Sequence, residues 1–214
     1  MSGAKDATIA ETYKDRLNAL KNGGGRKILG IVGPPGCGKS TLAAALLELL
    51  GDDAVAVPMD GYHLANVELA RLGRAGRKGA EDTFDSAGYV SLLRRLKNQQ
   101  GNEIVYAPEF RREIEEPIAN AIPVFPETQL VITEGNYLLL DHGHWAGISD
   151  LLDEIWYVDI DHSVRRERLV KRHMHFGRSQ SAAEDWVAST DEPNAVRIEA
   201  TKHRADVLFN WEGE

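Results

Sequence analysis

The chain of 214 residues is poor in cysteine and aromatic residues, and it lacks an excess of basic side chains. Its single cysteine, Cys37, excludes an intrachain disulfide and a zinc site built on cysteines, and it favours a reducing, cytoplasmic setting. The 33 acidic and 25 basic side chains give a net charge of −8, which argues against a nucleic-acid partner. We expect no membrane association either, because the longest apolar run, residues 42–50, is too short to span a bilayer and the N-terminus lacks a signal-peptide pattern.

Short apolar runs alternate with helical patterns over most of the chain. Because these runs are apolar on both faces and are separated by helices, they predict a parallel sheet covered on both sides. Right-handed crossovers then give an α/β fold with three layers, α/β/α, around a mainly parallel five-stranded sheet. The candidate strands are residues 27–32, 54–59, 129–133, 155–160 and 207–209.

Local signals place helices between these strands. Glycine often follows the end of a helix, and proline suits the first helical turn. A serine followed three residues later by a glutamate is a capping box, which marks the start of a helix. The candidate boundaries are a break after residues 8–20, Gly51 after residues 39–50, Ser86 and Gly101 around the next helix, a capping box from Ser181 to Glu184, and Pro193.

The chain length suits one compact domain, or a domain with a small attached lid. We predict an N-terminal helix and linker at residues 1–25 and the main domain at residues 26–214. Within that domain, residues 61–126 form a long insert whose glycines and prolines are typical of a binding loop or cap.

Residues 33–40 read Gly-Pro-Pro-Gly-Cys-Gly-Lys-Ser and match the phosphate-loop pattern GxxxxGK[ST]. In such a loop, backbone N–H groups converge on phosphate oxygens, Lys39 would contact the β- and γ-phosphates, and Ser40 would ligate Mg²⁺. The alternative, a glycine-rich turn with an incidental lysine, is disfavoured by the apolar strand before it and the helix after it. The candidate nucleotide-binding residues are Gly33, Gly36, Cys37, Gly38, Lys39, Ser40 and Thr41, with Cys37 either a small spacer or a reactive thiol.

Two acids follow predicted strands directly. Asp60 follows residues 54–59, and Glu134 follows residues 129–133. Because ligands gather beyond the carboxyl ends of parallel strands, we expect both acids at the phosphate site. There, one carboxylate can bind Mg²⁺ and one can accept a proton from an attacking hydroxyl. The alternative is that each acid only caps a turn or a helix.

An arginine-rich segment at residues 161–177 stands out in an acidic protein. Phosphoryl transfer needs guanidinium groups that offset the charge of the moving group, often on a lid that excludes water. We therefore predict a lid region at residues 162–190. The alternative is a solvated basic face. His173 and His175 suggest a metal site, but no carboxylate spacing supports one.

The motifs together resemble the phosphoribulokinase, uridine kinase and pantothenate kinase family. The resemblance rests on GPPGCGKST, MDGYH, the RKG…FD stretch at residues 77–85, ITEGNYLL and the arginine-rich lid, and it covers residues 28–209. The chain is most similar to a bacterial branch described as fructokinases or fructose transport system kinases. The resemblance implies a P-loop NTPase fold, ATP with Mg²⁺ as cofactors, and transfer of the γ-phosphoryl group to a hydroxyl of a small-molecule acceptor.

The resemblance also implies roles for individual residues. Asp60 matches the general base, Glu134 the metal-side acid and Arg172 the lid arginine. Asp85 falls where relatives hold substrate hydroxyls, although it equally suits the N-cap of the helix from Ser86. The residues that would wall the acceptor pocket are Tyr62, His63, Tyr106, Phe110 and Arg112, and Arg204 lies in the segment that approaches adenine.

Three functions remain open from the sequence. The first is a sugar or polyol kinase of fructokinase type, and the second is a nucleoside (uridine) or pantothenate kinase. The third is a regulatory P-loop protein in which nucleotide hydrolysis times a partner interaction. The paired acids, the lid and the insert favour an enzyme. The acceptor and the oligomeric state are not determined by the sequence, which is compatible with a homodimer.

Overall fold

The computed structural model describes residues 8–211, so residues 1–7 and 212–214 of the two predicted domain ranges lie outside the described residues. Within residues 8–211 the α-helices are α1 (Glu11–Lys21), α2 (Lys39–Leu50), α3 (Asn66–Arg71), α4 (Ser86–Lys97), α5 (His162–His175), α6 (Gln180–Trp186) and α7 (Glu192–Glu199). The strands are β1 (Lys27–Val32), β2 (Ala54–Ala56), β3 (Val105–Arg111), β4 (Glu116–Val124), β5 (Leu130–Gly135), β6 (Glu154–Val158) and β7 (Val207–Phe209).

Five strands form one parallel sheet in the order β2-β5-β1-β6-β7. The central strand β1 pairs with β5 on one side and with β6 on the other. All five strands therefore end at the same edge, where ligands of open α/β sheets gather. The predicted α/β fold of P-loop NTPases, with a five-stranded sheet between helical layers, is confirmed.

Apolar side chains cover both faces of the sheet because the strand residues point alternately to either side. On one face, Ile31 packs with Leu17 of α1 and Leu42 of α2. On the other face, Ile28 packs with Leu93 of α4 and with the β3–β4 pair. Helix α1 thus contributes to the main core, while the division into residues 1–25 and 26–214 stays a prediction.

Several predicted strand ends were wrong by a few residues. Strand β2 ends at Ala56 rather than at residue 59, because Pro58 has no N–H group for the ladder and a 3₁₀ turn, Met59–Tyr62, follows. Strand β5 continues to Gly135, so Glu134 lies within the strand instead of after it. Strand β6 runs over Glu154–Val158 rather than 155–160.

The insert at residues 61–126 contains more regular structure than a loop. It holds α3, α4 and an antiparallel pair, β3–β4, which forms a separate two-stranded sheet. The strand signal was hidden by proline, because Pro108, Pro117 and Pro123 all lie inside these strands. A two-stranded sheet tolerates proline at its free edges and at irregularities, and Pro108 lies at a register shift.

The helix boundaries correct some local predictions. Helix α6 is capped by Ser179, whose hydroxyl accepts the Ala182 N–H at 3.2 Å, and Ser181 lies inside the helix. Helix α1 begins at Glu11 rather than residue 8, and α4 ends at Lys97, before Gly101. Gly51 at the end of α2 and Pro193 in the first turn of α7 are confirmed. Across residues 8–211, no helix is both long and apolar enough to cross a membrane.

Asp85 caps α4 in the structure, and this role can be measured. Its side-chain oxygen Oδ1 accepts the N–H of Gly88 at 2.9 Å. We expect Asp85→Ala to lower the free energy of unfolding by about 1 kcal/mol, because the N–H loses its partner. Asp85→Asn should retain most of the stability, since asparagine caps helices as well as aspartate does. Urea unfolding of the two variants tests this, and equal stability of Asp85→Ala and the unsubstituted chain would contradict it.

Candidate active site

The phosphate loop connects β1 to α2. Gly36 and Gly38 adopt φ angles of 82° and 98°, a region that only glycine enters without strain. A Cβ on Gly36 would lie 2.7 Å from Cγ of Leu169, so the loop packs directly on α5. The side chain of Lys39 folds back over the loop, and its Nζ donates to the Gly33 carbonyl oxygen at 2.9 Å. Left-handed glycines and a lysine side chain folded over the loop are features of phosphate loops, in which N–H groups and an ammonium group converge on phosphate oxygens.

Glu134 lies beside the phosphate loop because β5 pairs with β1. In that pairing Glu134 stands opposite Ile31, and the hydroxyl of Ser40 donates to Glu134 Oε1 at 2.9 Å. Burial raises the pKa of Glu134, and the nearby Asp60 carboxylate raises it further, whereas Lys39 and Ser40 act in the opposite direction. A serine hydroxyl and a carboxylate oxygen are ligands that Mg²⁺ prefers.

Asp60 lies in the 3₁₀ turn after β2 and faces the same edge of the sheet. Its Oδ2 is 3.5 Å from Nη2 of Arg112, which comes from the insert. The Nδ1–H of His63 donates to the backbone carbonyl of Asp60 at 2.8 Å. Burial lowers the pKa of His63, so its ring stays neutral near pH 7. The His63 bond thus braces the backbone of the turn, and the Asp60 carboxylate, which lines the cavity, has the Arg112 guanidinium beside it.

These groups meet in a cavity of about 480 Å³ over the carboxyl edge of the sheet. That volume is typical of sites for small molecules. Residues from the phosphate loop, from β5, from the insert and from α5 all contribute to it. Of the predicted site residues, the cavity is lined by Gly36, Lys39, Ser40, Asp60, His63, Phe110, Arg112, Glu134 and Arg172.

The other predicted site residues lie outside this lining. Cys37 is fully buried under the loop, and burial raises the pKa of its thiol, which favours the role of a small spacer. Tyr62 packs on Tyr89 with 5.4 Å between ring centroids, and burial raises the pKa of Tyr62 to about 12. The full set outside the lining is Gly33, Cys37, Gly38, Thr41, Tyr62, Asp85, Tyr106 and Arg204.

Tyr106 and Arg204 lie away from the cavity lining. Tyr106 is exposed on β3, in the separate two-stranded sheet. Arg204 follows α7 and donates a hydrogen bond to the backbone carbonyl of Leu139. Neither observation tests a contact with the acceptor or with adenine, so both assignments stay predictions.

Helix α5 and the segment after it form a further part of the cavity lining. Arg172 faces the cavity, where desolvation and the nearby Arg112 guanidinium lower its pKa. His173, the next residue, has its Nε2 at 2.8 Å from Oδ2 of Asp191. Asp191 ends a π-helical turn, Val187–Asp191, that joins α6 to α7. Such turns often occur at functional sites because they re-aim side chains.

Sequence reasoning missed several residues that line this cavity. Lys78 and Asn136 lie inside the quoted motifs RKG and EGNYLL, so the motifs could have indicated them. Asp191 and Asn194 are buried polar residues without a local pattern, and only the packing of α7 brings them to the cavity. The complete missed set of polar and aromatic lining residues is Asn66, Lys78, Phe84, Glu115, Asn136, His173, Phe176, Arg178, Trp186, Thr190, Asp191 and Asn194.

The residues at the phosphate loop fit ATP with Mg²⁺. Gly36 leaves no room for a side chain, and Lys39 and Ser40 follow on the first turn of α2. Within residues 8–211, no group of three or more His, Cys, Asp and Glu side chains forms a metal site by itself. Mg²⁺ does not need such a group, because it is usually bound by one or two protein ligands together with substrate phosphates.

A phosphate loop, one acid on a strand, a second acid in the turn after the neighbouring strand, and a cationic helix around one cavity are the features of phosphate-loop kinases. The chain belongs to the phosphoribulokinase/uridine kinase family, whose sequence model matches residues 28–213. It is therefore a P-loop kinase by family and by fold.

Individual relatives agree with this family assignment. The chain is 36% identical to "Putative uridine kinase" of Schizosaccharomyces pombe (strain 972 / ATCC 24843), over 88% of this chain and 83% of that protein. It resembles the crystal structure of a "putative fructose transport system kinase" from Silicibacter sp. TM1040, with 37% identity, a TM-score of 0.84 and coverage of 94% and 98% of the two chains. YFH7 from Saccharomyces cerevisiae shares the fold at 19% identity, with a TM-score of 0.81 and coverage of 94% and 98%.

The raised pKa of Glu134 predicts a stability profile. Its pKa is higher in the folded chain than in the unfolded chain, so stability is greatest below the ordinary glutamate pKa and falls as the pH rises through the raised pKa. We expect Glu134→Gln to remove this decrease and to give a higher Tm than the unsubstituted chain at neutral pH, without nucleotide. Near about pH 4, where the carboxyl group is protonated, the difference should vanish.

Scanning calorimetry across this pH range measures the effect. Glu48→Gln is the matched control, because Glu48 is exposed on α2 and the substitution is chemically identical. An identical pH profile for Glu134→Gln and the unsubstituted chain would contradict the prediction.

Proposed function

We propose that this protein is an ATP-dependent kinase that transfers the γ-phosphoryl group to a hydroxyl of a sugar-like metabolite. One observation carries the proposal: a single cavity joins the phosphate loop and Glu134 to Asp60 and to cationic side chains from the insert and α5. Phosphoryl transfer requires these groups together, because the nucleotide, the attacking hydroxyl and the charge-stabilising groups must meet around one phosphorus atom.

The phosphate loop and β5 would hold the nucleotide. Lys39 would release the carbonyl oxygen of Gly33 and donate to the β- and γ-phosphate oxygens, while the N–H groups of the loop approach the same phosphates. Ser40 and Glu134 would hold Mg²⁺, which would offset the negative charge of the phosphate groups. The hydrogen bond between Ser40 and Glu134 keeps both oxygens at this position.

Asp60 would accept the proton of the attacking hydroxyl. It lines the cavity together with Glu134 and His63, and its Oδ2 is 3.5 Å from Nη2 of Arg112. The Arg112 guanidinium thus lies beside the carboxylate that would take the proton. The Arg112 guanidinium beside the carboxylate would help to orient it, so that a bound hydroxyl finds the base already positioned.

Arg172 would stabilise the phosphoryl group during transfer. It faces the cavity from the last turns of α5, and the next residue, His173, is tied to Asp191 at 2.8 Å. A guanidinium group in a partly desolvated site acts more strongly on developing charge than it does in water. Helix α5 contributes Arg172 and His173 to the cavity lining, and a cover formed there would limit the access of water that competes with the acceptor.

The residues that line the cavity suit a polar acceptor with several hydroxyl groups. Its lining combines aromatic rings, such as Phe110 and His63 with 4.7 Å between centroids, and uncharged polar groups such as Asn66, Asn136 and Asn194. Rings stack on the apolar face of a sugar, and amides exchange hydrogen bonds with its hydroxyls. The names of similar proteins differ in the acceptor, one uridine kinase and one fructose transport system kinase, so a nucleoside is the second candidate. The single cysteine and the use of ATP favour a cytoplasmic location.

A screen for ADP release tests the function and ranks the acceptors. Purified protein would be incubated with ATP, Mg²⁺ and a panel of sugars, nucleosides and pantothenate. We expect ADP release to rise strongly with one hydroxylated compound, and Lys39→Ala, which removes the phosphate contact, to abolish that rise. Slow ADP release that no added compound changes would instead support a regulatory P-loop protein.

Asp60→Asn tests the proposed base. The substitution keeps shape and volume but cannot take the proton, so we expect kcat to fall by roughly 10²–10⁴-fold. Affinity for ATP with Mg²⁺ should change little, because Ser40 and Glu134 would hold the metal. Single-turnover kinetics and nucleotide titration separate the two effects. Loss of nucleotide binding together with kcat would identify Asp60 as a metal ligand, and no change in either would leave it as a turn-capping residue.

A further inference from the structure

Arg165 is a buried cation beneath the phosphate loop. Its side chain is only 1% exposed, although it lies in the first half of α5 and among exposed arginines and lysines. A buried charge is costly unless it is paired and hydrogen-bonded. The location of its partners therefore shows what the folded chain gains from this residue.

The partners of Arg165 lie on two different elements. Nη2 is 2.7 Å from Oε1 of Glu192, the first residue of α7. Nη1 makes a long contact of 3.5 Å with the backbone carbonyl of Pro35, inside the phosphate loop. Its Nε is buried and has no hydrogen-bond partner among residues 8–211. The guanidinium fork thus joins the loop to α7, an arrangement that lysine, with one nitrogen, cannot reproduce.

The face of α5 that carries Arg165 also supports the loop sterically. Leu169, one turn after Arg165, is fully buried and would contact any side chain placed on Gly36. The carbonyl oxygen of Arg165 would lie 3.2 Å from a Cβ on Gly36. Pro35 and Gly36 line the cavity, whereas Arg165 does not. Arg165 therefore contacts the loop outside the cavity, where it would not touch a bound nucleotide.

Glu192 connects Arg165 to the part of the cavity lining that Asp191 forms. It follows Asp191, which lines the cavity and contacts His173 at 2.8 Å. The Arg165–Glu192 pair therefore ties the phosphate loop to the π-helical turn that carries Asp191. The first half of α5 belongs to the fixed frame of the phosphate site, and the second half presents Arg172 and His173 to the cavity.

We propose that Arg165 is a positioning residue that, together with Glu192, holds the phosphate loop in its nucleotide-binding conformation. This inference rests on the proposed function, because it concerns the affinity of the loop for ATP. Without the guanidinium fork, the Pro35 carbonyl oxygen loses its contact with Nη1, and the backbone of the phosphate loop is held less firmly before ATP binds. In enzymes, a displacement of positioned groups by about 1 Å lowers the rate on the order of 10²-fold.

The test replaces the pair by neutral groups, so that no unpaired charge is left buried. In the double variant Arg165→Met with Glu192→Gln, we expect the Kd for a non-hydrolysable ATP analogue with Mg²⁺ to rise by roughly 10- to 100-fold. Hydrogen–deuterium exchange should become faster in the peptide at residues 33–40. The matched control is Arg166→Met, which removes an exposed arginine from the same helix and should bind the analogue as the unsubstituted chain does.

Arg165→Lys provides a second measurement if the double variant does not fold. It keeps the charge beside Glu192 and loses the contact with Pro35, so we expect weaker analogue binding with a folded far-UV spectrum. A lower Tm with an unchanged Kd and unchanged exchange at residues 33–40 would overturn the inference and leave Arg165 as a residue that supports the fold only. If the unsubstituted chain itself fails to bind the analogue, the proposed function is overturned along with the inference.

Discussion

The parallel pairing of β1 with β5 sets the distances within the candidate active site. Glu134 stands opposite Ile31 in this pairing, directly before the phosphate loop begins, and its carboxylate therefore meets the hydroxyl of Ser40 at 2.9 Å. Strand β2 pairs with the other side of β5, so Asp60 follows at the same edge. Because a shift of register by one residue would turn Glu134 to the other face, the cavity depends on this pairing.

Charge in the cavity is arranged for a ligand that brings more charge. Burial and the nearby Asp60 carboxylate raise the pKa of Glu134, and desolvation and the nearby Arg112 guanidinium lower the pKa of Arg172. Such like-charge neighbours are unfavourable in the ligand-free chain, whereas a bound cation and phosphate groups would relieve both. Helix α5 serves this site twice, since its first half supports the phosphate loop and its second half carries Arg172.

Much of this architecture is readable from the sequence because it is encoded locally. The glycines and Lys39 of the phosphate loop, the apolar strands before Asp60 and Glu134, and the arginine-rich segment each carry a signal within a few residues. Such signals determine the α/β class, the order of the five parallel strands along the chain and the nucleotide end of the site. Proline concealed β3 and β4, and the choice between Ser179 and Ser181 as the cap of α6 required the hydrogen bond itself.

Tertiary structure alone decided which distant side chains face the cavity. Asp191 and Asn194 have no pattern of their own, and they reach it because a π-helical turn and the packing of α7 orient them. In the sequence, Arg165 is one basic residue among several. In the folded chain it is buried between Pro35 and Glu192, two residues that are distant from it in sequence. The sequence by itself determined the class of fold and the phosphate loop, because contacts within one strand–loop–helix unit specify them. The rest of the cavity lining depends on contacts between remote segments, which only the folded chain brings together.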